Sequence, residues 1–558
     1  MIRKLAVLAV LVLTMPAIAE EARQRYTIVT NPDMPRAARL RTLTANAEER
    51  IARRVRAYRN VSGYAADLTP AEVAELRNSP GVTAVEPVVE RYAASLGAVP
   101  RTVAPNYEHY EHQVTPWGLP VVHVQDVWPV TRGEGINVAV LDTGIDWNHP
   151  DLQAAYAGGV NVLDETKQPI DDNFHGTHVA GIIAATDNDF GVVGAAPGVK
   201  LWNVKVLDQM GKGYDEYTAA GIDWVVEQQR LFGGRWVINM SLGSASRGGK
   251  LEGLAVQRAY EAGIVLVASA GNRSQDWLDY PAAYSGVIAV GAIGEDGEKA
   301  EFSSYGGGML MVAPGVLVQS TFKEDYEEVA AVGVGTAESA ARGVIGSPFG
   351  IFTGKLIACG LGELGQFPAG VAGNIALIQR GGELSFREKA RNAKDAGAAA
   401  VVIWNHDATD SRPPLWTLTP RGCGPGENNC EPEWQDYAFP LTVGVANSEG
   451  LALAAKSGVT ATVTFIEARY GRLSGTSMAA PHVAGTAALL LALDPTMNPA
   501  EVQFAMKHTA RDTSKAGWDL YTSWGIVDAL AAAKFVAPAR FNLPPTEYKS
   551  PRRRSTRP

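Results

Sequence analysis

From about Gln113 the chain alternates short, nearly continuous apolar runs with helical stretches, and this alternation constrains its fold more than any other feature. The runs are INVAVLD (136–142), KLWNVKVLD (200–208), WVINMSLG (236–243), GIVLVASAGN (263–272) and GVIAVGA (286–292). Between them lie TAAGIDWVVEQQRLF (218–232) and LEGLAVQRAYEAG (251–263). A strand that is apolar along its whole length has both faces buried, and strands separated by helices pair in parallel. The expectation is a doubly wound, mostly parallel α/β sheet. Such sheets place their sites beyond the carboxyl ends of the strands. Asp142, the MSLG of 240–243 and Asn272 fall there, and His175 follows in DDNFHGTHVAGIIAA (171–185).

The segments on either side have a different character. Residues 26–92 read as a small α/β unit with strands at YTIV, VSGYAADL and GVTAVEPV and a helix over about 36–55. In TPAEVAELRNSPG, Thr69 is a helix N-cap, Pro70 the first helical residue and Glu72 the partner that closes a capping box. Residues 93–112 lack periodicity and read as a linker. The stretch 325–468 interrupts the main pattern with NIALIQRGG, SFREKARNAKDAGAAAVVIWNHD and FPLTVGVANSEGLALAA, a set complete enough for an inserted domain. The first 19 residues pair Arg3 and Lys4 with an apolar run and a small-residue end, the order of a secretory signal peptide. No later stretch reads as a membrane span. A net charge of −9 gives no reason to expect nucleic acid, although the tail KSPRRRSTRP is basic. The only cysteines are Cys359, Cys423 and Cys430; an exported chain could join Cys423 to Cys430, and three free thiols are the alternative.

LSGTSMAAPHVAG (473–485) begins an apolar helix with a small hydroxyl residue and a proline, Pro481, close to the first turn. Ser477 there is a cap or a nucleophile. Singly, the other pieces are equally plain: Asp142 could cap a helix, Asn272 could sit in a turn, and His175 with His178 could be a metal pair. Together they meet the needs of acyl transfer. Serine needs a base within reach, the base needs a carboxylate to fix its tautomer, and the oxyanion needs a donor. Ser477, His175, Asp142 and Asn272 supply one of each.

At these residues the chain resembles the subtilisin-like serine proteases. VAVLDTGIDWNHPDL, HGTHVAGIIAA and GTSMAAPHVAG are similar to that family's Asp, His and Ser motifs, in that order. The resemblance extends over about 113–321 and 472–535. It implies a secreted serine endopeptidase with catalytic Asp142, His175 and Ser477, oxyanion donor Asn272, and polypeptide substrates. It also implies that 20–96 is an inhibitor-like propeptide, that 97–112 contains or adjoins the processing site, and that 325–468 is a protease-associated insert. The catalytic domain would then be 113–324 with 469–535, and 536–558 a tail. The family's calcium site maps onto Gln113, Asp151 and Asn188 with the carbonyls of Thr186, Phe190 and Val192, all oxygen donors suited to Ca²⁺. Its substrate strand maps onto Ser241, Leu242 and Gly243, faced by Gly211 and Gly213. Asp279 falls near the floor of the first specificity pocket, where a buried carboxylate would favour a basic residue; the shorter RSQDWLD loop could instead turn it to solvent. Two rival functions use the same residues, a silent scaffold that presents the insert and a hydrolase of non-peptide esters. A silent scaffold need not retain all four groups, and an esterase should tolerate disruption of the NMSLG strand better than a protease.

Overall fold

The structure, a computed structural model, describes residues 22–33, 54–94, 113–323, 328–335, 337–344, 346–406, 416–418, 437–467, 469–513 and 516–542. The signal-like segment, most of the 36–55 helix, the 97–112 linker, Cys423, Cys430 and the basic tail lie outside them. The N-terminal unit has strands β1 (Gln24–Thr30), β2 (Arg56–Ala57), β3 (Gly63–Leu68) and β4 (Val82–Pro87), with helix α1 (Pro70–Arg77) before β4. They form one antiparallel sheet in the order β2-β3-β1-β4. The capping box on α1 forms as its sequence requires, with the Thr69 side chain accepting from Glu72 N and Glu72 accepting from Thr69 N. A short strand β5 (Glu90–Ala93) then leaves this unit.

The central sheet follows from the apolar runs. Its strands are β6 (Ile136–Asp142), β7 (Tyr156–Asn161) and β8 (Lys200–Lys205), then β10 (Arg235–Met240), β12 (Val265–Ser269), β13 (Val287–Ile293) and β14 (Met309–Pro314). The order is β14-β13-β12-β10-β6-β8-β7, and every pairing is parallel. Between them come β9 (Lys212–Tyr214) and β11 (Leu242–Gly243), which hold β5 antiparallel on either side. Helices α2 (His175–Ala184), α3 (Asp215–Phe232) and α4 (Lys250–Glu261) connect the strands.

After β15 (Val318–Thr321) the chain enters a closed barrel. It is built from β16 (Glu328–Val334), β17 (Ala337–Gly343), β18 (Gly350–Ala358), β19 (Ile375–Gln379), β20 (Ala400–Trp404), β21 (Leu441–Val445) and β22 (Thr460–Glu467). Helices α5 (Phe386–Asp395) and α6 (Asn447–Ala454) belong to this insert. Cys359 is buried and has no disulfide partner among the described residues. The chain returns through β23 (Tyr470–Leu473), paired with β15, into α7 (Thr476–Leu493), α8 (Pro499–Thr509) and α9 (Ala529–Val536). By length and composition α7 could cross a membrane, contrary to expectation, but it is buried in the core against β10, β12 and β13.

One local reading is corrected. Pro481 is the sixth residue of α7, beyond the first turn, so it deprives the Ser477 carbonyl of an intrahelical partner. The Ser241 hydroxyl donates to that carbonyl at 2.8 Å and makes the proline tolerable.

Candidate active site

Adjacent strands of the parallel sheet carry the candidate groups to one edge. Asp142 ends β6, Ser241 follows β10, and Asn272 lies three residues past β12. These strands are neighbours, so their ends stand about 5 Å apart in sequence along the edge. His175 opens α2, whose start can press on β6 because residue 176 is glycine. A Cβ there would come 2.1 Å from the Gly144 oxygen and 3.1 Å from Asp142 Cβ.

Asp142 and His175 form a fully buried couple, with His175 Nδ1 2.7 Å from Asp142 Oδ1. Asp142 Oδ1 also accepts from Thr143 N at 2.7 Å, and the Asn173 side chain accepts from His175 N at 3.1 Å. His175 Nε2 is buried with no hydrogen-bond partner among the described residues. The free nitrogen is the one a base would use. Asp171, which sequence reasoning passed over, braces this corner by accepting from Thr143 Oγ1, Thr177 Oγ1 and Thr177 N. His178 is turned towards the protein backbone, its Nε2 lying 3.0 and 3.1 Å from the carbonyls of Val318 and Gly471. Burial drives its pKa down to about 3.

Ser477 is the second residue of α7, which packs on α2. Its N–H donates to the Ala94 carbonyl at 3.2 Å, and Asn272 Nδ2 donates to the same oxygen at 2.6 Å. Asn272 is aimed by Thr476, whose N–H and hydroxyl both donate to Asn272 Oδ1 at 2.9 Å. Two donors therefore converge on one peptide carbonyl beside a serine, the arrangement that stabilises an oxyanion. The Ser477 hydroxyl itself donates to the Ser241 carbonyl at 2.8 Å.

The carbonyl so held belongs to the N-terminal unit. Ala94 N donates to Ser241 O at 3.1 Å and Ala93 N to Gly211 O at 2.9 Å. Ala93 lies opposite Leu242, Tyr92 opposite Gly243, and Arg91 opposite Gly213. The expected substrate-strand residues Ser241, Leu242, Gly243, Gly211 and Gly213 all line β5. Residues 93 and 94 are thus not free linker. The N-terminal sheet is anchored on α3: Asp223 accepts from the Arg59 and Asn60 N–H groups, each at 2.7 Å, and Glu216 pairs with Arg25 at 2.7 Å.

Asp279 is buried and does not turn to solvent. It lies behind the two segments that flank Ala94, so close that a Cβ on Gly271 would meet its Cγ at 2.8 Å and one on Gly243 its Cβ at 2.9 Å. Its charge is not free, because Arg273 Nη1 sits 2.6 Å from its Oδ1. Burial raises the carboxyl pKa and Arg273 opposes that rise.

Gln113, Asp151 and Asn188 do gather. Gln113 Oε1 accepts from Asn188 N at 2.6 Å, Asp151 Oδ1 from Asn188 Nδ2 at 3.0 Å, and Asp151 Oδ2 from Val192 N at 2.9 Å. Asp151 is fully buried with no ion-pair partner among the described residues, and burial raises its pKa. The set has a single carboxylate and no nitrogen or sulfur ligand, a chemistry that fits Ca²⁺.

Comparison with known proteins finds a match for each of the three units. A subtilase family model matches residues 133–342 and 425–525, a PA domain model matches 352–453, and a peptidase inhibitor I9 model matches 18–94, ending on Ala94. A thermostable alkaline protease of Halalkalibacterium halodurans is 38% identical over 319 residues, 57% of this chain and 79% of its own. Subtilisin DY of Bacillus licheniformis is 42% identical over 215 residues, 38% of this chain and 76% of its own. Among solved structures, the subtilisin-like protease Apa1 of Pseudoalteromonas sp. AS-11 matches with a TM-score of 0.50 at 29% identity, over 77% of this chain and 99% of its own. Fervidolysin of Fervidobacterium pennivorans shares the fold, with a TM-score of 0.55 at 22% identity over 93% of this chain and 62% of its own.

Proposed function

The chain belongs to the subtilase family, a subtilisin-like serine endopeptidase with an inhibitor-type propeptide and an inserted PA domain, and on that premise we propose that Asp142, His175 and Ser477 are its catalytic triad. Ser477 Oγ attacks the scissile carbonyl carbon while His175 Nε2 takes its proton. Asp142 holds the Nδ1–H and stabilises the imidazolium. The oxyanion is received by Asn272 Nδ2 and the Ser477 N–H. His175 then gives the proton to the leaving amine, and water repeats the sequence to release the acyl group. For attack, the Ser477 hydroxyl leaves the Ser241 carbonyl and turns to His175 Nε2.

The observation that carries this reading is the Ala94 carbonyl between Asn272 Nδ2 and Ser477 N. We infer that the enzyme is exported as a zymogen and cuts its own chain between Ala94 and Ser95, earlier than the 97–112 linker. Calcium belongs to the same proposal. Gln113, Asp151 and Asn188, with the carbonyls of Thr186, Phe190 and Val192, would hold it, and its charge would offset that of buried Asp151. The Asn188 amide would turn its oxygen inward.

The test is the intact mass and N-terminal sequence of the exported protein beside Ser477→Ala. A mature N-terminus at Ser95 in the wild type, with the variant uncut there, is expected. Equal processing of both would overturn self-cleavage, and a wild-type cut elsewhere would overturn the assignment of the bond.

A further inference from the structure

Arg91 lies three residues before Ala94, on the side of β5 that faces the protein interior. Its side chain and that of Glu252 are both 0% exposed. The guanidinium forks onto the carboxylate, with Nε 3.1 Å from Oε1 and Nη2 2.6 Å from Oε2. Its remaining Nη1 donates to Ser244 Oγ at 3.0 Å and to the Glu90 carbonyl at 3.1 Å. Every partner that fixes the fork's orientation, apart from Glu90, lies beyond the Ala94–Ser95 bond. The Tyr284 hydroxyl stands 2.9 Å from Glu252 Oε2.

A second carboxylate lines the same pocket. Asp215 Oδ1 accepts from Val89 N at 2.9 Å, while Oδ2 is buried without a partner among the described residues. Gly249 permits its approach, since a Cβ there would meet Asp215 Oδ2 at 2.0 Å. Burial, and then the neighbouring Glu252, push the Asp215 carboxyl up to about 7.

Processing removes Arg91 and leaves both acids behind. A buried carboxylate that loses its cation is costly, and a planar fork restores it better than an ammonium does. We propose that Glu252, Asp215, Ser244 and Tyr284 form a specificity pocket for an arginine side chain four residues N-terminal to the cleaved bond, so that the propeptide's Arg91 is the template of the preferred substrate. This rests on reading Ala94 as the residue whose carbonyl is attacked. It relocates the basic preference from Asp279, whose charge Arg273 already answers, to a pocket whose charge has no answer within the mature chain among the described residues.

The experiment compares the mature enzyme on Glu-Xaa-Tyr-Ala-Ala peptides with a fluorogenic leaving group, Xaa being Arg, Lys or Leu. Losing one partner of a desolvated charge pair costs at least about 2 kcal/mol, or roughly 30-fold. The expected kcat/KM order is Arg over Leu by roughly 30-fold or more, with Lys between. In Glu252→Gln the Arg-to-Leu ratio should fall close to one. Glu252→Asp, which keeps the charge and shortens its reach, should give an intermediate ratio and serves if the glutamine variant does not fold. Equal rates on Arg and Leu peptides, or a ratio untouched by either variant, would overturn the pocket while leaving the protease reading intact. Ser477-independent cleavage of all three would overturn the reading beneath it, and the pocket with it.

Discussion

Removing Arg273 should create a basic preference at the residue whose carbonyl is attacked. Asp279 is 4% exposed and packs behind Gly243 and Gly271, which flank Ala94, and among the described residues its one ion-pair partner is Arg273 at 2.6 Å. In Arg273→Ala the carboxylate loses its ion pair and can be answered by a basic substrate side chain. A hydrogen bond to a charged group contributes about 1.5–3 kcal/mol. The Arg273 side chain is 41% exposed, so water takes part of its place, and the lower end applies. About 1.5 kcal/mol is roughly a tenfold change. The assay is kcat/KM on Glu-Arg-Tyr-Ala-Xaa peptides at pH 8, Xaa being Ala or Arg. Wild type should favour Ala, and the variant's Arg-to-Ala ratio should rise roughly tenfold. An unchanged ratio, or a wild type that already favours Arg, would refute the idea that Arg273 answers the charge of Asp279.

Two further outcomes follow from groups away from the cleaved bond. His149, His178 and His482 are buried, and burial lowers their pKa values from 6.5 to about 4, about 3 and about 4. Below pH 6.5 the unfolded chain takes protons that the folded chain refuses, so stability is fully present above 6.5 and is lost as pH falls towards 4 and 3. At ~1.4 kcal/mol per unit, His149 and His482 each contribute on the order of 3 kcal/mol. Denaturant midpoints of Ser477→Ala at pH 7, 5.5 and 4 should fall steeply, and adding His482→Gln should make the fall shallower; identical slopes would contradict the assignment. Calcium at about a hundred times its Kd should add about 2.7 kcal/mol and raise Tm by several degrees relative to chelator. Asp151→Asn should abolish that difference, and an Asp151→Asn protein that still responds fully would place the ion elsewhere.

The placement of the candidate site residues was legible because each motif carries its own local instruction. An apolar run that ends in Asp142 is a strand end, and small residues before an apolar helix are a helix start, so both positions can be read without knowing what lies opposite them. The capping box of Thr69 and Glu72 is local in the same way. The barrel was less legible. Its inner strands β19, β20 and β21 announce themselves, but β16, β17 and β22 are polar or alanine-rich and become strands by closing a sheet. β7, with glycines at 158 and 159, is a strand because β8 offers it an edge. β5 is the extreme case: ERYA has no strand periodicity worth reading and takes its form from β9 and β11. The proposed arginine pocket was hidden for the same reason, since Arg91 and Glu252 meet across 161 positions of chain. One local sign did exist. Glu252 stands on the stripe of α4 that also carries Ala255, Val256 and Ala259, where a charge has no place unless something distant answers it. On the proposed self-cleavage, the propeptide's Arg91 would supply that answer and so display the side chain the pocket is proposed to recognise.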